Sequence, residues 1–354
     1  MPNSERIFIK GNEAIARGAI AAGLKCYFGY PITPQNDIPE FMSAALPAIG
    51  GEFVQAESEV AASNMLIGAA ATGTRCMTSS SSPGISLKQE AISYLAGSQL
   101  PAVVVNMTRG GPGLGDIGPS QGDYFQSVKG GGHGDYRMLV IAPSTCQEAY
   151  DTAIKAFDLA YKYRNPVMIL GDAILGQMKE PVTTWTPDHI DDHNSDNWCL
   201  TGADGRDSHI LRSLFLGEGE LAAHNIMLEK KYKSMEAEID QEMFECEDAE
   251  LIVVAYGSIG RIVKSTIRNL RKKGYKVGLF RPITLYPFPS EAMKKLALAG
   301  KKFLTIEHNL GQMVEDVRLS IRTITDSDFF GFYPGNLPTP DDFEDPILKS
   351  MGGK

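Results

Sequence analysis

The sequence predicts an α/β protein: a doubly wound, mainly parallel sheet domain followed by a smaller α/β domain. Three observations lead there. Short apolar strands alternate with helical patterns over residues 1–175. From Gln177 to Asp248 the character changes: Pro, Asp, His, Asn and Thr dominate up to Asp207, and a charged helix-like stretch, 218–243, follows. At Glu250 a second strand–helix alternation begins. The expected division is 1–176, a connecting segment with one helix over 177–248, and 249–354 with an irregular tail after Asp326. A length of 354 residues accommodates two domains.

Each element has a local reason. Residues 5–10 read as a short strand. Ala14, Ile15, Ala19, Ile20 and Ala22 recur at helical spacing and stop at Gly23, so a helix is expected over 11–23. A strand over 26–30 runs into the loop Gly29-Tyr30-Pro31-Ile32-Thr33-Pro34, and a helix carrying Phe41 and Met42 follows. A strand at 52–55 precedes an alanine-rich helix reaching Gly73, whose small residues predict close packing against a sheet or another subunit. The strand 75–79 opens into Ser79-Ser80-Ser81-Ser82-Pro83-Gly84 and a helix over 85–96. Strand, polar turn and helix make a natural anion or cofactor site, because the first N–H groups of a helix are free. The strand 101–108 ends in Arg109, and a glycine-rich segment runs on to Gly134. A strand at 138–142, a helix over 146–163 and a strand at 166–171 complete the first unit. In the second, strands are expected at 251–256, 276–280 and 302–306, with helices at 261–273, 290–299 and up to Ile321.

Composition excludes several classes. A net charge of −9 and the lack of a long basic run argue against a nucleic-acid partner. The five cysteines (Cys26, Cys76, Cys146, Cys199, Cys246) never reach CxxC spacing, so the chain carries no local zinc or iron–sulfur signature. No apolar run is long enough to span a membrane, and residues 1–10 do not resemble a signal peptide. A cytoplasmic protein is expected.

Six motifs invite chemical readings. In the Tyr30–Pro34 loop, Pro31 and Pro34 stiffen the chain on either side of Thr33. Either the prolines end a strand and start a helix, or the loop presents the Thr33 hydroxyl at the carboxyl end of a strand, where α/β folds place ligands. Glu57 and Glu59 open a helix, as dipole-complementing acids or as chemical groups. Arg109 is a surface charge or a carboxylate clamp. His133, in Gly130-Gly131-Gly132-His133-Gly134-Asp135, reads as a structural or solvent-facing loop residue. Gly257-Ser258-Ile259-Gly260 lacks the third glycine and the acidic ribose anchor of a dinucleotide fingerprint, and so reads as a close-packed strand–helix turn. Gly171-Asp172-Ala173, with Asn194 and Asn197 downstream, departs from a thiamin diphosphate motif at its third position and lacks the intervening helix.

Together, Tyr30-Pro31-Ile32-Thr33-Pro34, Glu57-Ser58-Glu59 with its alanine helix, the stretch from Ser80 to Leu87, and Arg109 in its glycine-rich loop resemble the α-type subunit of 2-oxoacid:ferredoxin oxidoreductases. Arg281-Pro282-Ile283-Thr284-Leu285-Tyr286-Pro287-Phe288-Pro289 and Asn309-Leu310-Gly311-Gln312 extend the resemblance to most of the chain. The stretches 79–89 and 130–136 look most like the 2-ketoisovalerate subgroup. The resemblance implies a thiamin diphosphate pyrimidine-binding domain followed by a transketolase C-terminal-like domain. It implies that Glu59 hydrogen-bonds the cofactor's aminopyrimidine, and that Thr33 and Arg109 hold the substrate's carboxylate and keto group. The implied activity is coenzyme A-dependent oxidative decarboxylation of a 2-oxoacid with electrons passed to ferredoxin. Thiamin diphosphate is expected to be shared with a β-type subunit. Mg2+ and iron–sulfur clusters are expected on partner chains, which include a γ-type subunit and a ferredoxin-like iron–sulfur subunit. A 2-oxoglutarate or pyruvate version of the same enzyme, and a non-catalytic assembly subunit, are the competing readings.

Overall fold

The computed structural model describes residues 5–193 and 195–352. The first unit runs β1 (Arg6–Lys10), α1 (Gly11–Ala21), β2 (Cys26–Gly29), α2 (Asp37–Ala48), β3 (Glu52–Gln55), α3 (Glu59–Ala71), β4 (Cys76–Ser80), α4 (Ser82–Gly97) and β5 (Ala102–Thr108). It continues through α5 (Tyr124–Val128), β6 (Leu139–Ile141), α6 (Cys146–Tyr163), β7 (Pro166–Asp172), α7 (Ala173–Gln177) and β8 (Lys179–Thr183). Then follow α8 (Glu220–Ser234), β9 (Gln241–Phe244), β10 (Leu251–Val254), α9 (Gly257–Lys272), β11 (Val277–Pro282), β12 (Thr284–Tyr286) and α10 (Ser290–Leu298). The chain closes with β13 (Lys302–Glu307), α11 (Met313–Ile321), β14 (Ser327–Gly331) and α12 (Glu344–Ser350).

The main sheet has the order β12-β6-β7-β5-β4-β2-β3, parallel except at β12, and the second has the order β14-β13-β10-β11-β9, parallel except at β9. β1 and β8 pair antiparallel on their own. β5 is buried along its whole length, as a strand covered on both faces must be. Its side chains alternate between two cores: Val103, Val105 and Met107 pack with α1 and α6, while Val104 faces α4 and the second unit. The second core is continuous across the two sheets, joining Ile85 and Ile92 to Ile252, Phe280 and Phe303.

The two units are bolted at named points. Arg281 of β11 binds both carboxylate oxygens of Glu148 on α6 (2.8 and 3.0 Å) and Glu242 on β9 (2.7 Å). Gln121 exchanges bonds with the backbone of His308 (2.8 and 3.1 Å) and donates to the Tyr256 carbonyl (3.0 Å).

Several elements differ from expectation. α4 starts at Ser82 and α9 at Gly257, so both polar turns are shorter than their composition implies. Gly257 adopts φ +53°, which lets strand pass to helix without a loop. The charged stretch ends its α-helix at Ser234, and Gln241–Phe244 joins the second sheet as an antiparallel edge strand. Thr284–Tyr286 crosses back to the first sheet. The tail is not irregular: β14 pairs with β13, and Phe330 packs on Phe343 (6.3 Å between ring centres) ahead of α12. Glycines and prolines masked that strand's pattern. A short helix, α5, also interrupts the glycine-rich segment.

Because Arg281 is buried between two carboxylates, Arg281→Met leaves Glu148 without its cation and Glu242 with Lys264 alone. The expected loss is about 3–5 kcal/mol in chemical denaturation. A loss below about 1 kcal/mol would contradict the bolt.

Candidate functional site

The order of the main sheet reverses between β2 and β4: the chain leaves β2 for β3 on one side, then crosses to β4 on the other. A crevice at the carboxyl ends of strands about such a point is where open α/β sheets bind ligands. The loop carrying Thr33 follows β2, Glu59 follows β3, the serine turn follows β4 and Arg109 follows β5. One sheet edge therefore gathers all three residues singled out from the sequence.

The Thr33 loop is fixed from below. The Asn12 amide donates to the Pro34 carbonyl (2.8 Å) and to Asp37 (2.9 Å), and Gln177 donates to the same two groups at 3.0 and 2.7 Å. Lys10 pairs with Asp37 at 2.7 Å. Buried Gln35 takes a short hydrogen bond from Ser79, itself 2.6 Å from the Tyr27 hydroxyl. The Thr33 side chain stays exposed, its hydroxyl 3.4 Å from the Asn36 amide.

Glu59 is the first residue of α3, whose N-terminus is capped by Ser58 accepting from the Ala61 N–H (3.1 Å). Its side chain is 6% exposed, yet its carboxylate has no hydrogen bond or ion pair among the described residues. It lies against Gly84: a Cβ there would sit 2.7 Å from Glu59 Oε1, so only glycine leaves the carboxylate its room. Ser80 Oγ crowds the same point over Gly84, and the Ser80 and Ser81 hydroxyls are both buried without a partner among the described residues. Beneath stands Lys88 of α4, fully buried, its Nζ donating to the Glu59 main-chain carbonyl (3.2 Å) and to Thr78 Oγ1 (3.1 Å). Burial pushes the Lys88 ammonium down to about 8, opposed by the charge of Glu59.

Arg109 is 7% exposed and pairs with no carboxylate among the described residues. Nη1 donates to the Thr33 carbonyl and Nη2 to the Leu114 carbonyl, both at 3.0 Å, while Nε has no partner. Its backbone N–H donates to Ser82 Oγ at 3.0 Å, tying β5 to the start of α4. Asn106 joins the Ser82 N–H (3.1 Å) to the Asp123 carboxylate (2.8 Å), whose pKa burial raises. The loop after Arg109 folds on itself through Asp116 N–H to the Gly110 carbonyl (2.8 Å), with Gly115 at φ +61°. Arg109, Ser82, Asp123, Asn309 and Gln312 line a cleft of about 510 Å³ between the two units.

Other sequence candidates have different places. Glu57 and His133 are exposed. Asp172 is buried, accepting from the Leu175 N–H (2.9 Å) and from Ser258, so it caps α7 and holds the start of α9. Gly260 approaches Ala255 O so closely that a Cβ would lie 2.9 Å away, which makes this a packed strand–helix turn. Asn197 is exposed in a short 3-10 turn, and Asn194 lies outside the described residues. No helix among the described residues is long and apolar enough to cross a membrane. Sequence reasoning missed Lys88 and Gln35. A lysine on the apolar face of α4 was the available signal for Lys88.

The residues at the sheet edge fit a cofactor with hydrogen-bonding ring nitrogens: a buried, unbonded carboxylate, a glycine that clears it, and two hydroxyls without partners. Comparisons with known proteins agree. The family described as "Pyruvate flavodoxin/ferredoxin oxidoreductase, thiamine diP-bdg" matches residues 17–243, and "Pyruvate:ferredoxin oxidoreductase core domain II" matches 249–343. The chain belongs to the thiamin diphosphate-dependent 2-oxoacid:ferredoxin oxidoreductase family, as a subunit. Its fold is accordingly a pyrimidine-binding domain with a transketolase C-terminal-like domain. It is 51% identical over 314 residues to the ketoisovalerate oxidoreductase subunit VorB of Methanothermobacter thermautotrophicus, covering 88% of this chain and 89% of that one. It therefore stands with the ketoisovalerate subgroup. The 2-oxoglutarate synthase subunit KorA of Methanocaldococcus jannaschii is 37% identical over 366 residues, covering 96% of this chain and 99% of that protein. Among solved structures, a 2-oxoglutarate:ferredoxin oxidoreductase from Magnetococcus marinus, with 2-oxoglutarate, coenzyme A and succinyl-CoA bound, superposes with a TM-score of 0.85 at 26% identity. That match covers 98% of this chain, which spans 65% of the solved one. A split-gene transketolase shares the fold at a TM-score of 0.61 and 13% identity, over 97% of this chain and 98% of its own.

His308, next in the chain to Asn309 of the cleft, is fully buried, with Nε2 3.3 Å from the Tyr333 carbonyl and Nδ1 without a partner among the described residues. Burial depresses its pKa from 6.5 to about 4. Between those values the unfolded chain binds a proton that the folded one refuses. His308 therefore contributes stability above pH 6.5 that is lost as pH falls towards 4, about 3 kcal/mol in all. The variant His308→Gln should show a shallower acid loss than the wild type in denaturation at pH 7, 6 and 5. Parallel curves would contradict this.

Proposed function

We propose that this chain is the α-type subunit of a coenzyme A-dependent 2-oxoacid:ferredoxin oxidoreductase acting on 2-ketoisovalerate. The carrying observation is Glu59 at the reversal point of the sheet, a side chain 6% exposed whose carboxylate has no hydrogen-bond partner among the described residues. When bound, thiamin diphosphate supplies the carbon acid that adds to the keto carbon and takes up the charge left by carbon dioxide. Glu59 holds and exchanges a proton with the aminopyrimidine ring at its carboxylate oxygens. Arg109 is a buried cation with a free Nε edge and binds the substrate carboxylate. The exposed Thr33 hydroxyl donates to the same group. Two backbone carbonyls hold the guanidinium in place before substrate arrives, so the reacting groups meet in a fixed geometry.

The choice of substrate rests on the cleft. Arg109 is the one cation among the described residues lining it, and the loop it anchors exposes Leu114 and Ile117. One cation and an apolar loop suit a branched aliphatic monoacid; 2-oxoglutarate calls for a second cation. The 2-oxoglutarate reading is kept alive by the KorA relative and by the ligands of the Magnetococcus marinus structure.

Partner chains complete the enzyme. A β-type subunit holds the diphosphate and Mg2+, seated on the exposed apolar face of α3 and α4 formed by Val60, Met65, Leu87 and Tyr94. A γ-type subunit and a ferredoxin-like iron–sulfur subunit carry the acyl transfer and electron transfer to ferredoxin. The complex works in the cytoplasm.

In the complex assembled with its partner chains, Glu59→Gln should lower turnover about 100-fold or more while leaving thermal unfolding unchanged. Turnover near the wild-type rate would overturn the assignment. Arg109→Gln should raise KM for the 2-oxoacid about tenfold or more without changing KM for coenzyme A. Equal effects on both would remove Arg109 from the substrate carboxylate.

A further inference from the structure

Lys88 is the charged group that the reaction outlined above leaves unused. A fully buried lysine is rare unless it is paired. This one makes no ion pair among the described residues; its hydrogen bonds go to a main-chain carbonyl and a hydroxyl. Packing alone would be served as well by methionine, which has similar length and no charge to desolvate.

The position of its two acceptors gives Lys88 a role. One is the carbonyl of Glu59 itself, 3.2 Å away, and the other is Thr78 of β4, 3.1 Å away. The cation thus stands close enough to balance the Glu59 charge but binds the backbone rather than the carboxylate. A direct ion pair would have occupied the oxygens that a ligand needs. A carboxylate is held charged more readily beside a cation than without one. The surrounding elements offer no substitute. β5 carries no titratable side chain, and β7 contributes Asp172, committed to Leu175 and Ser258. On β4 the neighbouring ionisable group is the buried thiol of Cys76, which is uncharged at neutral pH. Arg109 is turned to the carbonyls of Thr33 and Leu114, and Asp123 to Asn106.

We propose that Lys88 is a positioning residue for this reaction: anchored on the Glu59 backbone, it balances the Glu59 charge while leaving both carboxylate oxygens free for the aminopyrimidine. This rests on the function proposed above. It assigns the lysine of the Ser-Leu-Lys-Gln stretch, residues 86–89, to the electrostatics of cofactor binding.

The test is thiamin diphosphate binding to the assembled complex by calorimetry between pH 6 and pH 8.5, without substrate. Lys88→Met should weaken binding about tenfold at the acidic end and much less at the alkaline end, moving the acid limb up by about one pH unit. Lys88→Gln, which keeps a donor but no charge, should give the same shift if the methionine variant fails to assemble. In the E59Q background, Lys88→Met should change binding less than about twofold, because the charge it balances is gone. An unchanged pH profile, or an equal loss with and without the Glu59 carboxylate, would overturn the role of Lys88 alone. Failure of the wild-type complex to bind thiamin diphosphate would overturn the functional reading and this inference with it.

Discussion

A nearly buried acid whose carboxylate meets no hydrogen-bond partner among the described residues sits at Glu59, and the first unit of this protein is built around it. The parallel sheet sets the position, since β3 delivers the chain to the start of α3 at the edge where the strand order reverses. Ser58 caps the helix, so Glu59 is not needed as a cap. Gly84 keeps the adjoining helix clear of it, and Lys88 supplies the compensating charge from below. The helix dipole adds a smaller favourable term for an anion in the first turn. Each feature is unremarkable alone; together they leave one anionic group aimed at a ligand.

The other half of the site depends on the contact between the two units. Arg109 is fixed through Ser82, and Ser82 through Asn106 and Asp123, on a segment that Gln121 joins to Tyr256, His308 and Asn309. Gln312 donates to the Gly122 carbonyl (2.7 Å) and accepts from the Phe125 N–H (2.8 Å). Glu307 in turn shapes that rim, accepting the N–H groups of Met313 (2.8 Å) and Val314 (2.9 Å) at the start of α11. A shift between units would therefore move the wall of the cleft opposite Arg109. The second unit acts as a clamp on the glycine-rich loop as well as a fold of its own.

Much of this was legible in the sequence, for physical reasons. Buried parallel strands such as Ala102–Thr108 leave continuous apolar runs, and amphipathic helices such as Cys146–Tyr163 leave a clear period, so both are readable. Thr33 stood out because two prolines flank it after a strand, Glu59 because it opens a helix and Arg109 because it ends a strand. Strand pairing between units left no local trace: neither Gln241–Phe244 nor Thr284–Tyr286 shows which sheet it joins. The tail strand Ser327–Gly331 was hidden by aromatic residues interrupted by glycine and proline. Lys88 was missed although it lies on the apolar face of its helix, because a lysine in a helical pattern reads as solvent-facing; its burial depends on how closely α3 and α4 pack.

The measurement that bears most directly on the central claim is substrate-dependent reduction of a low-potential acceptor. It uses the complex purified with its partner chains, supplied with thiamin diphosphate and coenzyme A. 2-Ketoisovalerate, 2-oxoglutarate and pyruvate are compared by kcat/KM. An apolar loop beside a single buried cation predicts the highest value for 2-ketoisovalerate. Preference for 2-oxoglutarate would contradict the reading of the cleft. No reduction with any of the three by a complete, cluster-loaded complex would contradict the assignment of Glu59 to the chemistry.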